Sequence, residues 1–328
     1  MSDSNKDKFF KNYNQGIPQI LKKKLIADIE TPISSLLKIS EKQKYSFLLE
    51  SVEGGDQRGR YSILGCDPDI IWEVNKNKAK VTSLNQDLDL SFLSEDPIKS
   101  LKQLVDFSKI NKESNSSPFP VLVGYLGYPM IQLMEKINLN NPDEINIPDA
   151  LMIRPKLVAV FDNIKDTINI QTSIYPDKKV TAELAFSKAN DYINITIKKL
   201  NRDIPKESLF KKNKKLTLDF KSNYTKKEYF NIVDKAKDYI IKGDIFQVVP
   251  SQRLKTDYNL SAQTLYRSLR RLNPSPFLVN LNFNNFGLVA SSPEILVRLR
   301  ENNITIRPIA GTRKRGKTIN EDIILSKD

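Results

Sequence analysis

The spacing of apolar runs constrains this chain most. From Tyr45 to about Tyr175 the hydrophobic residues come in short bursts, among them Tyr45-Ser-Phe-Leu-Leu49, Ile70-Ile-Trp-Glu-Val74 and Val121-Leu-Val-Gly-Tyr125. Gly, Pro, Asn and Asp separate them. Short bursts rich in β-branched and aromatic residues read as strands, and the residues between them as turns. Helical signals are confined to a segment from Pro97, where proline suits a first turn, and a longer one from Val180 to Leu200. The expected class is α+β, with antiparallel β-sheets and flanking helices.

A polar, lysine-rich stretch from Asn201 to about Lys215 reads as a linker. It divides an N-terminal region, 1–205, from a second region, 216–328. In the second, Thr225-Lys-Lys-Glu228 has the form of a capping box. Phe230, Val233, Ile240 and Ile241 then give an apolar face that stops at Gly243. A strand is expected over Ile245-Phe-Gln-Val-Val249. A helix is expected from Ser261, with Leu265, Leu269 and Leu272 on its core side, ending at Asn273-Pro274. Runs starting at Phe277, Gly287, Ile295 and Ile304 read as a meander. The last residues, Glu321 to Asp328, read as the first turns of an amphipathic helix with no stop signal, so the polypeptide is expected to continue past them.

Composition narrows the function. Lys and Arg number 52 against 39 Asp and Glu, a net charge of +13. The surplus is mostly lysine scattered along the chain rather than an arginine-rich stripe, which argues against a grip on nucleic acid. The polar N-terminus is no signal peptide, and no run approaches the roughly 18 apolar residues of a membrane helix. A cytoplasmic protein without a membrane partner is expected. A single cysteine, Cys66, excludes an internal disulfide and fits a reducing compartment. Cys66 and Trp72 read as core residues. With no histidine in these 328 residues, an imidazole base or a His-ligated metal cannot come from them.

Several stretches offer chemistry. Leu48-Leu-Glu50-Ser51 together with Asn273-Pro-Ser-Pro276-Phe277-Leu278 supplies a carboxylate, hydroxyl and amide donors and an apolar slot, the set a free amino acid needs. The same residues also read as a strand end and a proline-written helix stop. Pro308-Ile-Ala310-Gly311-Thr312-Arg313 offers a glycine that admits a ligand close to the backbone and a hydroxyl for a carboxylate, or simply a turn. Glu294, in Ser291-Ser-Pro-Glu294, is a candidate general acid or a plain turn residue. Gly59-Arg60-Tyr61-Ser62 reads as a structural link between strands.

Taken in order, these stretches and Gly243-Asp-Ile-Phe-Gln247-Val-Val-Pro-Ser251 resemble the large, chorismate-using subunit of anthranilate synthase, component I. The resemblance implies that family's fold and the conversion of chorismate and ammonia to anthranilate and pyruvate, with tryptophan as feedback inhibitor. It implies that Gly311 and Thr312 contact chorismate and that Glu294 protonates the departing ring hydroxyl. Ser51 and the Pro276-Phe277-Leu278 segment would meet tryptophan, with Glu50 and Asn273 nearby. The family often has Tyr-Met where this chain has Phe277-Leu278.

Relatives that make aminodeoxychorismate carry lysine at the place of Ala310, and relatives that add water carry lysine at the place of Gln247. Neither residue here is a nucleophile or a base. The resemblance further implies Mg²⁺, whose carboxylate ligands would lie beyond Asp328, with no metal ligand in this chain. It implies a glutamine amidotransferase subunit as ammonia source, in a heterotetramer of two of each. On this reading the 328 residues alone hold half an active site and are inactive. The rival readings are an aminodeoxychorismate synthase working without the lysine, and a non-catalytic tryptophan sensor.

Overall fold

The computed structural model describes residues 3–53, 57–84, 88–110, 119–205, 218–300, 302–307 and 314–326. The chain divides into two compact units, one of Met1–Phe210 with Ser261–Pro293, the other of Lys211–Leu260 with Glu294–Asp328. Part of the expected linker, residues 206–217, lies outside the described residues. The division is not linear, because residues 261–293 return to the first unit.

The first unit opens with helix α1 (Asp3–Asn14), strand β1 (Gln19–Ile26) and helix α2 (Pro32–Ile39). Strand β2 (Ser46–Glu50) and the short ladder of β3 (Val52–Glu53) with β4 (Gln57–Arg58) follow. Next come β5 (Tyr61–Asn75), β6 (Lys78–Ser83), helix α3 (Pro97–Phe107), β7 (Val123–Leu126), β8 (Ala150–Asp162), β9 (Thr167–Ile174) and helix α4 (Ala182–Leu200). The second unit begins with β10 (Lys221–Ser222), helix α5 (Lys226–Ile241) and β11 (Leu254–Lys255). The chain then rejoins the first unit through helix α6 (Ala262–Leu272) and the hairpin β12 (Phe277–Phe283) and β13 (Phe286–Ser292). It closes with β14 (Arg298–Arg300), β15 (Asn303–Thr305) and helix α7 (Ile319–Leu325).

Among the described residues, nine strands of the first unit form one antiparallel sheet in the order β1-β9-β8-β5-β2-β12-β13, with β6 on β5 and β7 on β8. The class is α+β, as expected. β5 and β8 are largely buried on both faces, which explains consecutive apolar runs such as Ile70-Ile-Trp72 and Leu157-Val-Ala-Val-Phe161. β1 lies at the edge and exposes Lys22, Lys23 and Lys24 there, charges that discourage pairing with another chain. One face carries the largest core, built from Phe9, Leu36, Leu64, Ile170, Ile193, Tyr266 and Leu278 of α1, α2, α4, α6 and the strands beneath. Phe47, Ile71, Ile153, Leu281 and Phe283 form a second cluster. Trp72 and Leu104 of α3 anchor a third, with the Trp72 indole N–H donating to Ser100 Oγ at 3.1 Å. Cys66 and Trp72 are core residues, as expected.

β5 and β8 carry a bulge. Their register shifts between Pro68 and Ile70, next to Asp67 at φ 53°, and Asp69 is the extra residue. Its carboxylate receives both Nε and Nη2 of the buried Arg154, at 2.8 and 2.7 Å, while the Tyr175 ring stacks 4.0 Å from the guanidinium carbon.

Local signals placed α3 and α5 well, whereas α1 and α2 were not anticipated. Asp96 caps α3 with Pro97 in its first turn. Thr225 and Glu228 close the expected box on α5, and Gly243 follows its end at φ 79°. Three expectations are corrected. Ile245–Val249 is irregular, and Phe246 is 93% exposed: the apolar run finds no ladder partner among the described residues. In α6 the buried residue is Tyr266, while Leu265 and Leu272 are exposed, because the helix turns toward β12 and β13 the face that meets Glu50. The strands expected from Ile295 and Ile304 reduce to the three-residue pair β14–β15.

Candidate functional site

The sheet brings together the two stretches expected to hold an amino acid. β2 pairs with β12 so that Glu50 stands opposite Leu278. Two residues beyond the ladder, Val52 N–H donates to the Ser275 carbonyl at 2.9 Å. Ser51, between Glu50 and Val52, is therefore held beside the 275–278 segment. Gly59 presses on it from the other side: its N–H donates to the Ser51 carbonyl at 2.7 Å, and a Cβ at this position would stand 2.6 Å from Ser51 Cβ. Only glycine admits that approach. The Gly59–Ser62 stretch thus does serve as a structural link, with Asn163 Nδ2 donating to the Gly59 carbonyl and Arg60 paired to Asp162 at 3.1 Å.

Glu50 is buried, and both carboxylate oxygens are engaged by α6. The Tyr266 hydroxyl donates to Oε2 at 2.6 Å, and Arg270 Nη2 to Oε1 at 2.8 Å. Burial first, and the carboxylate second, push the Tyr266 phenol well above its usual range, so it serves as a fixed donor. Tyr266 and Arg270 lie one turn apart on one side of α6, a spacing that reaches a single acceptor. Neither was singled out from sequence. The helical period of Leu265, Leu269 and Leu272 pointed to another face, and no local signal marked the pair.

In β12, alternation sends Leu278 into the core and leaves Phe277 39% exposed on the opposite face. The Leu278 side chain is taken up by the core and does not face a ligand. The Asn273–Pro276 turn is fixed to β13: Ser275 Oγ lies 2.9 Å from the Ser292 carbonyl, and Ser291 Oγ donates to the Asn273 carbonyl at 2.6 Å.

The other candidates fall in the second unit. Gln247 lies in the irregular stretch after α5, and Glu294 in the turn after β13, both exposed. Ala310, Gly311 and Thr312 lie outside the described residues. Among the described residues no three His, Cys, Asp or Glu side chains converge as a metal would require. Nor is any described helix long and apolar enough to cross a membrane.

Residues 46–328 match the sequence family of chorismate binding enzymes. The chain belongs to that family. Among its relatives, the anthranilate synthase component 1 of Cereibacter sphaeroides is 41% identical over 325 residues, covering 98% of this chain and 65% of that protein. The Aquifex aeolicus protein of the same name is 36% identical over 330 residues, covering 98% of this chain and 64% of its own. The chain thus spans just under two thirds of the length of these relatives. The crystal structure of anthranilate synthase component I from Streptococcus pneumoniae superposes with a TM-score of 0.60 at 26% identity, covering 85% of this chain and 59% of that one. The family match begins at Ser46, the first residue of β2, and so includes every candidate residue named above.

Proposed function

We propose that the protein carrying this chain is the chorismate-using component I of a cytoplasmic anthranilate synthase. The observation that carries the reading is the 41% identity, along 98% of the chain, to a relative of that name. In the reaction, ammonia adds at ring C2 of chorismate and the C4 hydroxyl leaves as water. Loss of the C2 proton and of the enolpyruvyl group as pyruvate then yields aromatic anthranilate. Glu294 protonates the departing hydroxyl. Gly311 and Thr312 hold a chorismate carboxylate. Gln247 cannot deprotonate water, and Ala310 cannot attack the ring, so ammonia is left as the nucleophile. A glutamine amidotransferase subunit supplies the ammonia, two copies of each subunit forming the assembly. Carboxylates outside the described residues would hold Mg²⁺, which when bound would neutralise a substrate carboxylate.

Ser51, Asn273 and the Pro276–Leu278 segment form the tryptophan feedback site, beside the Glu50–Arg270–Tyr266 cluster. The full-length protein, given chorismate and an ammonium salt, should release fluorescent anthranilate and pyruvate in equal amounts, and tryptophan should suppress both. An aminated product that retains its enolpyruvyl group would instead identify an aminodeoxychorismate synthase. Binding of tryptophan but not of chorismate would identify a sensor.

A further inference from the structure

Ser275 ties the strand end that carries Ser51 to the strand end that leads to Glu294. It is 6% exposed and sits between Pro274 and Pro276. Its carbonyl accepts from Val52 N–H at 2.9 Å. Its hydroxyl oxygen lies 2.9 Å from the Ser292 carbonyl, 3.2 Å from the Phe277 carbonyl and 3.0 Å from Ser291 Oγ. Ser291 Oγ lies 2.6 Å from the Asn273 carbonyl as well.

Each serine hydroxyl has one proton. Ser291 can therefore donate to the Asn273 carbonyl or to Ser275, and Ser275 to the Ser292 or to the Phe277 carbonyl. Two protons serve four acceptors, so the cluster admits more than one hydrogen-bonding pattern between the Asn273–Phe277 segment and β13. The flanking prolines fix φ on both sides of Ser275 and restrict the residue before each of them. A displacement at Ser51–Val52 is therefore passed on through Ser275 more readily than absorbed in the turn. Beyond Ser292, Pro293 alone precedes Glu294.

We propose that Ser275 is a positioning residue, whose hydroxyl couples binding of an amino acid beside Ser51 and Pro276 to the path on which the chain leaves β13 toward Glu294. The inference rests on the reading of those residues as a feedback site and of Glu294 as the acid.

The test separates binding from inhibition in the full-length protein. Tryptophan affinity is measured by calorimetry, and kcat/KM for chorismate with and without saturating tryptophan, in wild type, Ser275→Ala, Ser291→Ala and Ser291→Thr. In Ser275→Ala, tryptophan should still bind, within about fivefold of wild type, while the inhibition ratio falls about tenfold, inside the roughly 5–150-fold span of allosteric couplings. Ser291→Ala should split binding from inhibition in the same direction but less, and Ser291→Thr, which keeps a hydroxyl, should behave as wild type.

Affinity and inhibition changing in parallel would mean a merely structural serine and overturn the inference, as would inhibition unchanged in both alanine variants. Should Ser275→Ala not fold, the Ser291 pair decides by the same split. A wild type that binds no tryptophan overturns the feedback reading, and the coupling with it. A wild type that is inhibited, with no split in the variants, overturns the coupling alone.

Discussion

The two compact units obey different rules. In the first, strands β5 and β8 are largely covered on both faces. Asn280 Oδ1 is the one buried side-chain polar atom without a partner among the described residues. In the second, α5 and α7 have no buried residue, the ladders are two and three residues long, and Ile241, Val249 and Leu296 are more than three-quarters exposed. Helices formed in both units, whereas long strands formed only where a partner strand lay ready. The difference follows from where hydrogen bonds close. A helix satisfies its backbone within itself and needs only caps, while a strand needs another strand.

Charge should expose the contrast most strongly. Arg154 is 2% exposed and bidentate on Asp69 at the β5 bulge. Arg154→Ala strands that carboxylate and removes the Tyr175 stacking, and should cost about 3–5 kcal/mol in urea unfolding. Lys237 on α5 stands 3.7 Å from Asp234, with both side chains exposed. Lys237→Ala should change stability by no more than about 0.5 kcal/mol. Equal costs for the two variants would erase the contrast between the units.

Alkaline pH should come next. Burial, then the charge of Asp67, pushes the Cys66 thiol up to about 12 from an ordinary 9.0. Because the folded value is the higher one, this contribution is present in full below about pH 9. It is lost as pH rises toward 12, by about 1.4 kcal/mol per pH unit once the unfolded thiol ionises. Cys66→Ala should flatten the fall in unfolding free energy across that window. A decline just as steep without the thiol would assign it to other groups.

A smaller effect tests the wall of the candidate site. Tyr266→Phe keeps the buried ring but removes the hydroxyl that donates to Glu50, leaving one buried carboxylate oxygen short of a donor. The expected cost is about 1–3 kcal/mol by chemical denaturation. A neutral outcome would mean that Arg270 alone holds Glu50.

The split between units also explains what could be read in advance. Caps such as Thr225 with Glu228 and stops such as Gly243 act over four or five neighbouring residues, so sequence spacing revealed them. The pairing of Glu50 with Leu278 joins residues more than two hundred positions apart, and here only the family resemblance brought the two stretches together. Nothing local marks Arg270 as Glu50's partner, or Ser275 as the tie between β2 and β13. The misjudged α6 face has the same origin. Leu265, Leu269 and Leu272 satisfy a helical period, but the surface beneath the helix is set by distant strands and selects Tyr266 instead. For Ile245–Val249, apolar composition met the requirement for a strand while the partner, the non-local half of that requirement, is not among the described residues.

The smallest prediction sits on the most legible element. Thr225 Oγ1 accepts from Glu228 N–H at 3.3 Å, and the Glu228 carboxylate returns to Thr225 N–H at 2.8 Å. Those bonds to Thr225 hold the Glu228 carboxyl below its usual range, so its contribution is present at neutral pH and fades as the solution is acidified through the depressed value. Thr225→Ala should cost the helix about 1 kcal/mol. Because α5 buries nothing of its own, that loss should appear as faster amide exchange within its first turns, with exchange in β5 and β8 unchanged. Faster exchange in β5 and β8 as well would mean that the two units open together, and that burial in the first does not set their different stabilities.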